Sequence, residues 1–485
     1  MSSSLLEELK PLFYPRNVAV VGVSNRGESA GNRFLAVMRQ FGYKGAIYPV
    51  HPTATEIDGL KAYPSVRAIP ADVDFVNISA PARFVPQIMS DCVAKGVKAA
   101  EIFTAGFREV SEEGRKLEME IKKIAAGKIR IVGPNCFGVY SPRGGLTLLP
   151  GPNYPRESGD IGVFSQSGGW VTDLIWGADA FGVKFSKVVS YGNGIDLNEA
   201  SLLEYFEQDP ETGVIAAYLE GVNDGPRFRD VVTRVNKKKP VIIWKGGLSE
   251  TGKRAVNSHT GSLAGSKYTW DAFFKQTGAV RAQGFEELLD TAAIFHYLKP
   301  GSYRNLAFIG GGGGVGVAAG DICEDFGMKI PPSTAAIIER MSELIPAQGT
   351  SIKNPFDTGS PNTPGDILRK MIRVVSGWSA VDAIIVNRLF FYGLKQLMGL
   401  DVLDEEQRIQ GILDSKQGLS KPLMVVLEEL SYGLDRIEME RERRAARDRL
   451  LQAGIYVTDS VYRAVRALNN VSTYYERQGF MKSPS

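Results

Sequence analysis

Histidine and cysteine are scarce in this 485-residue chain, with three of each. The cysteines, Cys92, Cys136 and Cys323, lie far apart and in no paired spacing. This distribution gives no indication of a disulfide framework or a metal site, so no metal ligands are predicted. A reducing compartment, the cytoplasm, is expected.

Long apolar runs and a surplus of one charge are also missing. No segment approaches the roughly 18 consecutive apolar residues of a membrane helix. The N-terminal stretch carries acidic residues where a signal peptide is basic, so no export signal is expected. Because 57 Lys and Arg face 54 Asp and Glu, the chain lacks the basic surplus that nucleic acid or an anionic membrane would attract. Small molecules and protein are the expected partners.

Short β-branched runs alternate with helix-like segments, a pattern typical of doubly wound parallel sheets. We predict three α/β modules, residues 1–145, 146–300 and 301–485. Their predicted strands are Val18–Val21, Ala46–Val50, Phe75–Ile78, Ala99–Phe103 and Ile129–Val132; Ile161–Phe164, Val214–Leu219 and Val241–Lys245; and Leu306–Ile309, Met328–Ile330, Ala383–Val386, Leu423–Leu427 and Ile455–Val457.

The loops that follow the first module's strands are short and rich in Gly, Pro and Ser. Ligands bind at this edge of such sheets. The first loop lacks the G-x-G-x-x-G spacing, and His51 stands where a dinucleotide fold places an acid for the ribose. The pattern therefore favours a phosphate-bearing nucleotide other than NAD. Nothing nearby supplies a base for Cys136, so on its own pattern it is read as a packing residue.

Two features of the second module indicate phosphate chemistry. Ser165–Gly169, reading SQSGG, joins a strand to a predicted helix at Trp170–Phe181, and converging N–H groups at a helix start bind anions. The alternative is a tight turn with Ser167 as an N-cap. Glu220 ends the next strand, where a carboxylate can orient an imidazole, although such an acid is more often solvated.

That imidazole is His259, which lies in a stretch of small residues from Lys245 to Trp270. Small neighbours leave N–H groups and hydroxyls open to a ligand, and an imidazole can attack phosphorus; the alternative is a polar surface residue. Gly247, Gly252 and Lys253 match a P-loop, but Arg254 replaces the magnesium-binding Ser or Thr. A loop is predicted here in place of the helix that follows a P-loop lysine.

The third module has a glycine run directly after its first strand. Gly311, Gly313 and Gly316 satisfy G-x-G-x-x-G, but Pro331 stands where the ribose acid would be. A second phosphate-cradling turn is therefore predicted at Gly312, Gly313 and Gly314. Further on, Arg436–Leu450 mixes both charges at helical spacing, which predicts a solvated helix face.

Several segments together resemble one family, the α subunits of NDP-forming acyl-CoA synthetases, relatives of succinyl-CoA synthetase. The segments are AVVGVSNRG, YPVHP, GPNCFG, SQSGG, YGNGIDLNE, YLEGV, SHTGSLAG and KNPFDTG. The resemblance covers nearly the whole chain. It implies a Rossmann-like CoA-binding domain followed by two flavodoxin-like domains, and an enzyme that interconverts acyl-CoA, ADP and phosphate with acid, CoA and ATP.

The resemblance also implies roles for individual residues. His259 would carry the phosphoryl group and Glu220 would orient it. The phosphoryl group would lie between two helix starts, and CoA would lie along the first module's loops. The phosphate-binding residues would be Ser165, Gln166, Ser167, Gly168, Gly169, Gly312, Gly313 and Gly314; the CoA-binding residues would be Gly22, Ser24, Asn25, Arg26, His51, Ser79, Ala80, Pro81, Asn135 and Cys136.

The sequence departs from the family at Gly310 and Gly311, where Thr-Asn is usual, at His51, where Asn is usual, and at Gly194, where Lys is common. No segment matches the family's ATP-grasp part. A separate β subunit that binds ATP or ADP with Mg²⁺ is therefore expected, in a hetero-oligomer, with a swinging loop around His259. The alternatives are a CoA-binding regulatory protein without turnover and a transferase for another activated acid.

Overall fold

Three β-sheets flanked by helices organise the chain, two of them parallel and one parallel except for its edge strand. The computed structural model describes residues 4–147, 151, 153–260, 265–359, 363–388, 405–428, 433 and 437–480, without the side chains of 257–260, 388 and 405. The chain divides into two units, Met1–Leu288 with two of the sheets and Leu289–Ser485 with the third. The predicted α/β class with parallel sheets is confirmed.

The first sheet has the strand order β2-β1-β5-β6-β7, all parallel. The central strands β1, β5 and β6 are buried, as their apolar runs predict, whereas the edge strand β2 is partly exposed. The elements are α1 (Leu5–Phe13), β1 (Asn17–Val21), α2 (Ala30–Phe41), β2 (Ala46–Val50), a hairpin of β3 (Glu56–Ile57) and β4 (Leu60–Lys61), β5 (Phe75–Ile78), α3 (Val85–Lys95), β6 (Ala99–Ile102), α4 (Glu112–Ala125) and β7 (Arg130–Val132).

The second sheet has the order β13-β12-β11-β9-β10-β8, with only β8 antiparallel among these strands. The elements are β8 (Gly138–Tyr140), β9 (Ile161–Ser165), α5 (Gly168–Gly177), β10 (Phe185–Ser190), α6 (Glu199–Gln208), β11 (Val214–Leu219), α7 (Gly225–Val235), β12 (Val241–Lys245), α8 (Glu250–Thr260), α9 (Lys267–Thr277), β13 (Val280–Ala282) and α10 (Phe285–Tyr297).

Strand β8 joins the two sheets of the first unit. It follows β7 closely in sequence but pairs with β10. The buried Glu101 of β6 accepts hydrogen bonds from Asn77 Nδ2 (2.8 Å) and from the backbone N of Val139 in β8 (3.2 Å). Desolvation raises the pKa of Glu101 to about 8. A side chain of the first sheet therefore holds the edge strand of the second.

The third sheet, in the second unit, has the order β15-β14-β16-β17-β18, all parallel. The elements are β14 (Leu306–Gly310), α11 (Gly313–Asp325), α12 (Ala335–Ser342), β15 (Phe356–Asp357), α13 (Gly365–Ser376), β16 (Ala383–Arg388), α14 (Glu405–Ser415), β17 (Leu423–Leu427), α15 (Ile437–Gln452), β18 (Tyr456–Thr458) and α16 (Val461–Arg477).

One prediction for the third sheet is wrong: Met328–Ile330 is not a strand, since Lys329 makes only an isolated bridge to Asn305. The predicted charged helix is present as α15 and exposes most of its charged residues. Its other face is not solvated, because Arg443 and Glu440 are buried and paired at 2.7 Å. Arg443 also donates to the carbonyl of Leu427 (3.1 Å), so this charged helix is fixed to the end of β17.

The segment predicted as a loop around His259 is also different. Helix α8 begins at Glu250, directly after the Gly247 turn, and extends to Thr260. The prediction that no helix follows Lys253 is therefore wrong, while residues 261–264 lie outside the described residues. Across the described ranges, no helix is both long and apolar enough to cross a membrane.

Candidate functional site

The turn from Ser165 to Gly169 connects β9 to α5. Ser165 Oγ donates to the carbonyl of Ser167 (2.8 Å) and accepts from its backbone N (3.1 Å), which closes the turn. Ser167 accepts from the N of Trp170 (3.5 Å) as the N-cap of α5. A Cβ at Gly168 would lie 2.5 Å from the Phe137 ring, whereas one at Gly169 would meet only Ser167 Oγ, at 4.0 Å. The predicted strand-to-helix turn and the predicted N-cap are therefore both present.

Gln166 connects this turn to Glu220. Its Oε1 accepts hydrogen bonds from the backbone N of Glu220 and of Gly221, the latter at 2.8 Å. Glu220 is buried, and Tyr218 donates to its Oε1 (3.3 Å). The reading of Glu220 as a solvated loop acid is thus wrong. The structure places the predicted orienting carboxylate beside the predicted phosphate turn.

Lys245 completes this cluster, although no sequence pattern indicated it as a site residue. It ends β12 in register with Leu219 of β11, and its side chain is only 5% exposed. Its Nζ donates to the carbonyl of Glu220 (2.8 Å) and to that of Gly246, and lies 5.2 Å from the centre of the Trp270 ring. Burial lowers the pKa of Lys245 to about 8, although the nearby Glu220 opposes this shift.

A Lys245→Met variant should lack a pH dependence of stability that the wild type has. Because the pKa of Lys245 falls from 10.5 to about 8 on folding, this side chain binds more protons in the unfolded chain between these values, and its contribution to stability increases as pH rises through that window. At roughly 1.4 kcal/mol per pKa unit, a fall from 10.5 to about 8 corresponds to a gain of at most about 3.5 kcal/mol. Urea unfolding on either side of the window measures it.

The variant of an exposed lysine on α9, Lys275→Met, serves as the control and should follow the wild-type pH dependence. A stability difference between wild type and Lys245→Met that stays constant across the window would contradict the lowered pKa.

His259 lies on α8, which follows β12 and Lys245 in the chain. Its side chain lies outside the described part of the structure, so the predicted contact between the imidazole and Glu220 stays a prediction. The ends of the segment are described: Lys245 at the end of β12 contacts Trp270 on α9. Lys245 and Trp270, the two ends of the segment that contains His259, are therefore in contact with each other.

The glycine turn of the second unit has the predicted strand-to-helix form. Strand β14 ends at Gly310, and α11 begins at Gly313 after Gly312, whose φ of 147° suits glycine. A Cβ at Gly313 would lie 3.5 Å from Asp357 Oδ2, whereas Gly314 has open space. The turn leaves the backbone open at the start of α11, and its role as a phosphate site stays a prediction.

The loops predicted to bind CoA meet at the carboxyl end of the first sheet. Gly22 has φ of +96°, and a Cβ there would lie 2.5 Å from the backbone carbon of Ser79, so the loops after β1 and β5 touch. Asn32 holds the first loop by accepting from Ser24 N (2.7 Å) and donating to Ser24 O (3.0 Å). The N of Arg26 donates to Ser24 Oγ (3.1 Å).

Three other residues predicted to bind CoA, His51, Asn135 and Cys136, are held by hydrogen bonds within the protein. His51 Nδ1 accepts from the N of Thr53 (3.2 Å) and Ala54 (2.9 Å), which fixes the ring. Asn135 has φ of 56° and donates its N to the carbonyl of Thr104 (3.0 Å). The thiol of Cys136 is buried and donates to the carbonyl of Ile102, and desolvation raises its pKa well above the ordinary value, as expected of a packing residue.

Comparisons with known families match both sheets of the first unit. A family model described as a CoA binding domain matches residues 16–142, and one described as a succinyl-CoA ligase like flavodoxin domain matches residues 158–295.

The proteins and solved structures to which this chain is similar include CoA ligases and a coenzyme A synthetase. The chain is 40% identical to the alpha subunit of ADP-forming acetate–CoA ligase I from Pyrococcus furiosus, over 72% of this chain and 76% of that one. It is 39% identical to the ADP-forming acetate–CoA ligase of Methanocaldococcus jannaschii over 74% of this chain, but spans only about half the length of that relative, 50%. The solved dinucleotide-forming acetyl-coenzyme A synthetase 1 of Ca. Korarchaeum cryptofilum, in complex with phosphate and ADP, is 32% identical and superimposes with a TM-score of 0.84 over 97% of this chain and 98% of that one.

Proposed function

Since this chain belongs to the family of ADP-forming acyl-CoA synthetases, which includes the ADP-forming acetate–CoA ligases, we propose that it is the α subunit of an acid–CoA ligase. The complete reaction interconverts acyl-CoA, ADP and phosphate with acid, CoA and ATP. The observation that best supports this function is the bond from Gln166 to the backbone of Glu220 and Gly221. It joins the predicted phosphate turn at the start of α5 to a buried carboxylate.

The first step places phosphate at the Ser165–Gly169 turn. The N–H groups at the start of α5 and the buried ammonium of Lys245 favour an anion here. A phosphate oxygen attacks the thioester carbonyl, the C–S bond breaks, and CoA leaves as thiolate while acyl phosphate forms. The Gly-bearing loops at Gly22 and Ser79 hold the CoA.

The second step uses His259 as a nucleophile. A neutral imidazole nitrogen attacks phosphorus, the bond from phosphorus to the acyl oxygen breaks, and the acid leaves as carboxylate. The other ring nitrogen keeps its proton, and the carboxylate of Glu220 stabilises the positive charge that develops. The phosphohistidine then passes its phosphoryl group to ADP.

Three domains carry these steps in the proposal, residues 1–145 for CoA, 146–300 for the phosphohistidine and 301–485 for a second phosphate turn at Gly312–Gly314. ADP and Mg²⁺ bind to an ATP-grasp β subunit, a separate chain, in a cytoplasmic hetero-oligomer. The alpha-subunit name of the Pyrococcus furiosus relative supports a partner chain.

Release of CoA thiol tests the function without the partner. Mixing the purified chain with acetyl-CoA should release up to one CoA per chain in a burst, and only when phosphate is present. Release that continues without phosphate, or no release at any phosphate concentration, would contradict the proposal.

Replacing Gly22 by alanine should weaken CoA binding at least about tenfold, as calorimetric titration would measure. The added Cβ would meet the backbone of Ser79 at 2.5 Å, so one of the two CoA loops must move. Gly27→Ala is the matched control, because Gly27 has nearly the same φ, +95°, but open space around it. Both variants carry about 1 to 2 kcal/mol of backbone strain; equal loss of CoA affinity in both would contradict the assignment of the Gly22 loop.

A further inference from the structure

A cleft of about 730 Å³ opens beside the phosphate turn, within the first unit. Gln166 lines one part of it. Because Gln166 Oε1 is held by two backbone N–H groups, the two N–H donors of its side-chain amide remain for a ligand. Because Gln166 also belongs to the turn that we propose for phosphate, the cleft adjoins the proposed reaction site.

Helix α4 forms one wall of this cleft. The lining side chains Glu112, Arg115, Met119 and Lys122 recur every three to four residues, so they lie on one face of the helix. At 1.5 Å per residue, this face is about 15 Å long. The acetyl group of acetyl-CoA would fill only a small part of such a wall.

The opposite wall is made by the loops after β10 and β11, and it is firmly attached to α4. Asn193 Nδ2 donates to Glu118 Oε1 (2.6 Å) and to Glu109 Oε2 (2.7 Å), and Arg108 donates to the carbonyl of Asn193. Ile195 and Val222 add apolar surface to this wall. These hydrogen bonds fix the width of the cleft.

The charges and apolar groups of the cleft indicate which ligand it suits. Arg108 is paired with Glu118 (3.8 Å), whereas Arg115 and Lys122 have no carboxylate partner in the described ranges. Glu112 is the remaining acid of the lining, which leaves an excess of positive charge. Val110 and Met119 are 70% and 67% exposed, so apolar surface lies uncovered between the charged groups.

We propose that this cleft holds the body of the acid substrate, and that it selects acids longer than acetate with an apolar chain and a second anionic group. The proposal rests on the function given above. The thioester carbonyl lies at Gln166, the chain lies against Met119 and Val110, and the distal anion binds Arg115 and Lys122. Such a pocket is within the usual volume range of small-molecule sites.

The test uses the purified chain, labelled phosphate and three thioesters of the same thiol: acetyl-CoA, hexanoyl-CoA and adipoyl-CoA. The labelling rate of the protein, divided by the thioester concentration, should rise from acetyl-CoA to hexanoyl-CoA to adipoyl-CoA. In the double variant Arg115→Gln/Lys122→Gln, the ratio of the labelling rate with adipoyl-CoA to that with acetyl-CoA should fall by about tenfold or more. A tenfold change corresponds to roughly 1.4 kcal/mol. Lys116→Gln/Lys123→Gln, on α4 outside the cleft lining, is the charge-matched control and should leave the ratio unchanged.

The other outcomes overturn the proposal in distinguishable ways. Equal labelling by all three thioesters, unaffected by the double variant, would leave the function standing and remove the cleft from substrate selection. An equal loss with all three thioesters would assign Arg115 and Lys122 to the CoA moiety, against the proposal. Absence of label with every thioester would contradict the proposed function itself.

Discussion

Replacing His259 by alanine should lower covalent labelling by acetyl-CoA and labelled phosphate at least about a thousandfold. The imidazole is the proposed acceptor of the phosphoryl group, so its removal should prevent the covalent step. The label on the wild type should be acid-labile and stable to base, as a phosphorus–nitrogen bond requires. Scintillation counting of the precipitated protein before and after separate acid and base treatments measures both properties.

The chain supplies its own controls, because it contains only two further histidines, His51 and His296. His296→Ala should label at the wild-type rate, and His51→Ala should require more acetyl-CoA but reach the same final label. Full labelling of His259→Ala would show that the phosphoryl group lies on another residue.

Replacing Glu220 by glutamine should slow labelling by about a hundredfold to a thousandfold, within the usual range for loss of a positioned acid–base partner. The amide keeps the size of the side chain but removes the negative charge that stabilises the phosphorylated imidazole. The final amount of label should approach that of the wild type, since the acceptor is intact. Quench-flow measurement at saturating acetyl-CoA separates the rate from the amount.

A second buried acid offers a matched comparison for Glu220. Glu199 is 1% exposed and accepts from the N of Asn223 (2.7 Å), three residues beyond Glu220 in the same loop. Glu199→Gln should reduce the melting temperature, because a buried hydrogen-bonded carboxylate is lost. The labelling rate should stay within about threefold of the wild-type rate. Equal slowing by both variants would show that Glu220 acts only through the stability of the loop.

The sequence predicted best those elements that are buried on both faces. Strands β5, β11, β12 and β17 have the predicted bounds, because a strand covered by helices on both sides must be a continuous apolar run bounded by turn residues. Strand β10 is also buried throughout but was not predicted. Helix starts were also readable where Ser167 or another short polar residue caps them.

Elements that depend on distant partners were missed. The short edge strands β8, β13 and β15 have two or three residues each, and their pairing is set by the neighbouring strand rather than by their own composition. Met328–Ile330 has strand-like residues but only one bridge partner. Helix α8 contains Gly252 and Ser258, poor helix formers that predicted a loop.

The same reason explains what the sequence could not reveal about the site. The SQSGG turn and Glu220 were identified from local pattern and resemblance. The bond from Gln166 to the Glu220 backbone spans 54 residues of sequence, and the contact of Lys245 with Glu220 spans 25. Such contacts exist only once β9, β11 and β12 are adjacent in the sheet.

Tandem mass spectrometry of the chain after brief incubation with acetyl-CoA and phosphate tests the central claim most directly. Under neutral conditions that preserve phosphorus–nitrogen bonds, a single phosphoryl group should be found on His259, and omission of either reagent should abolish it. A phosphoryl group on any other residue, or unmodified His259 in a chain that has released CoA, would contradict the account.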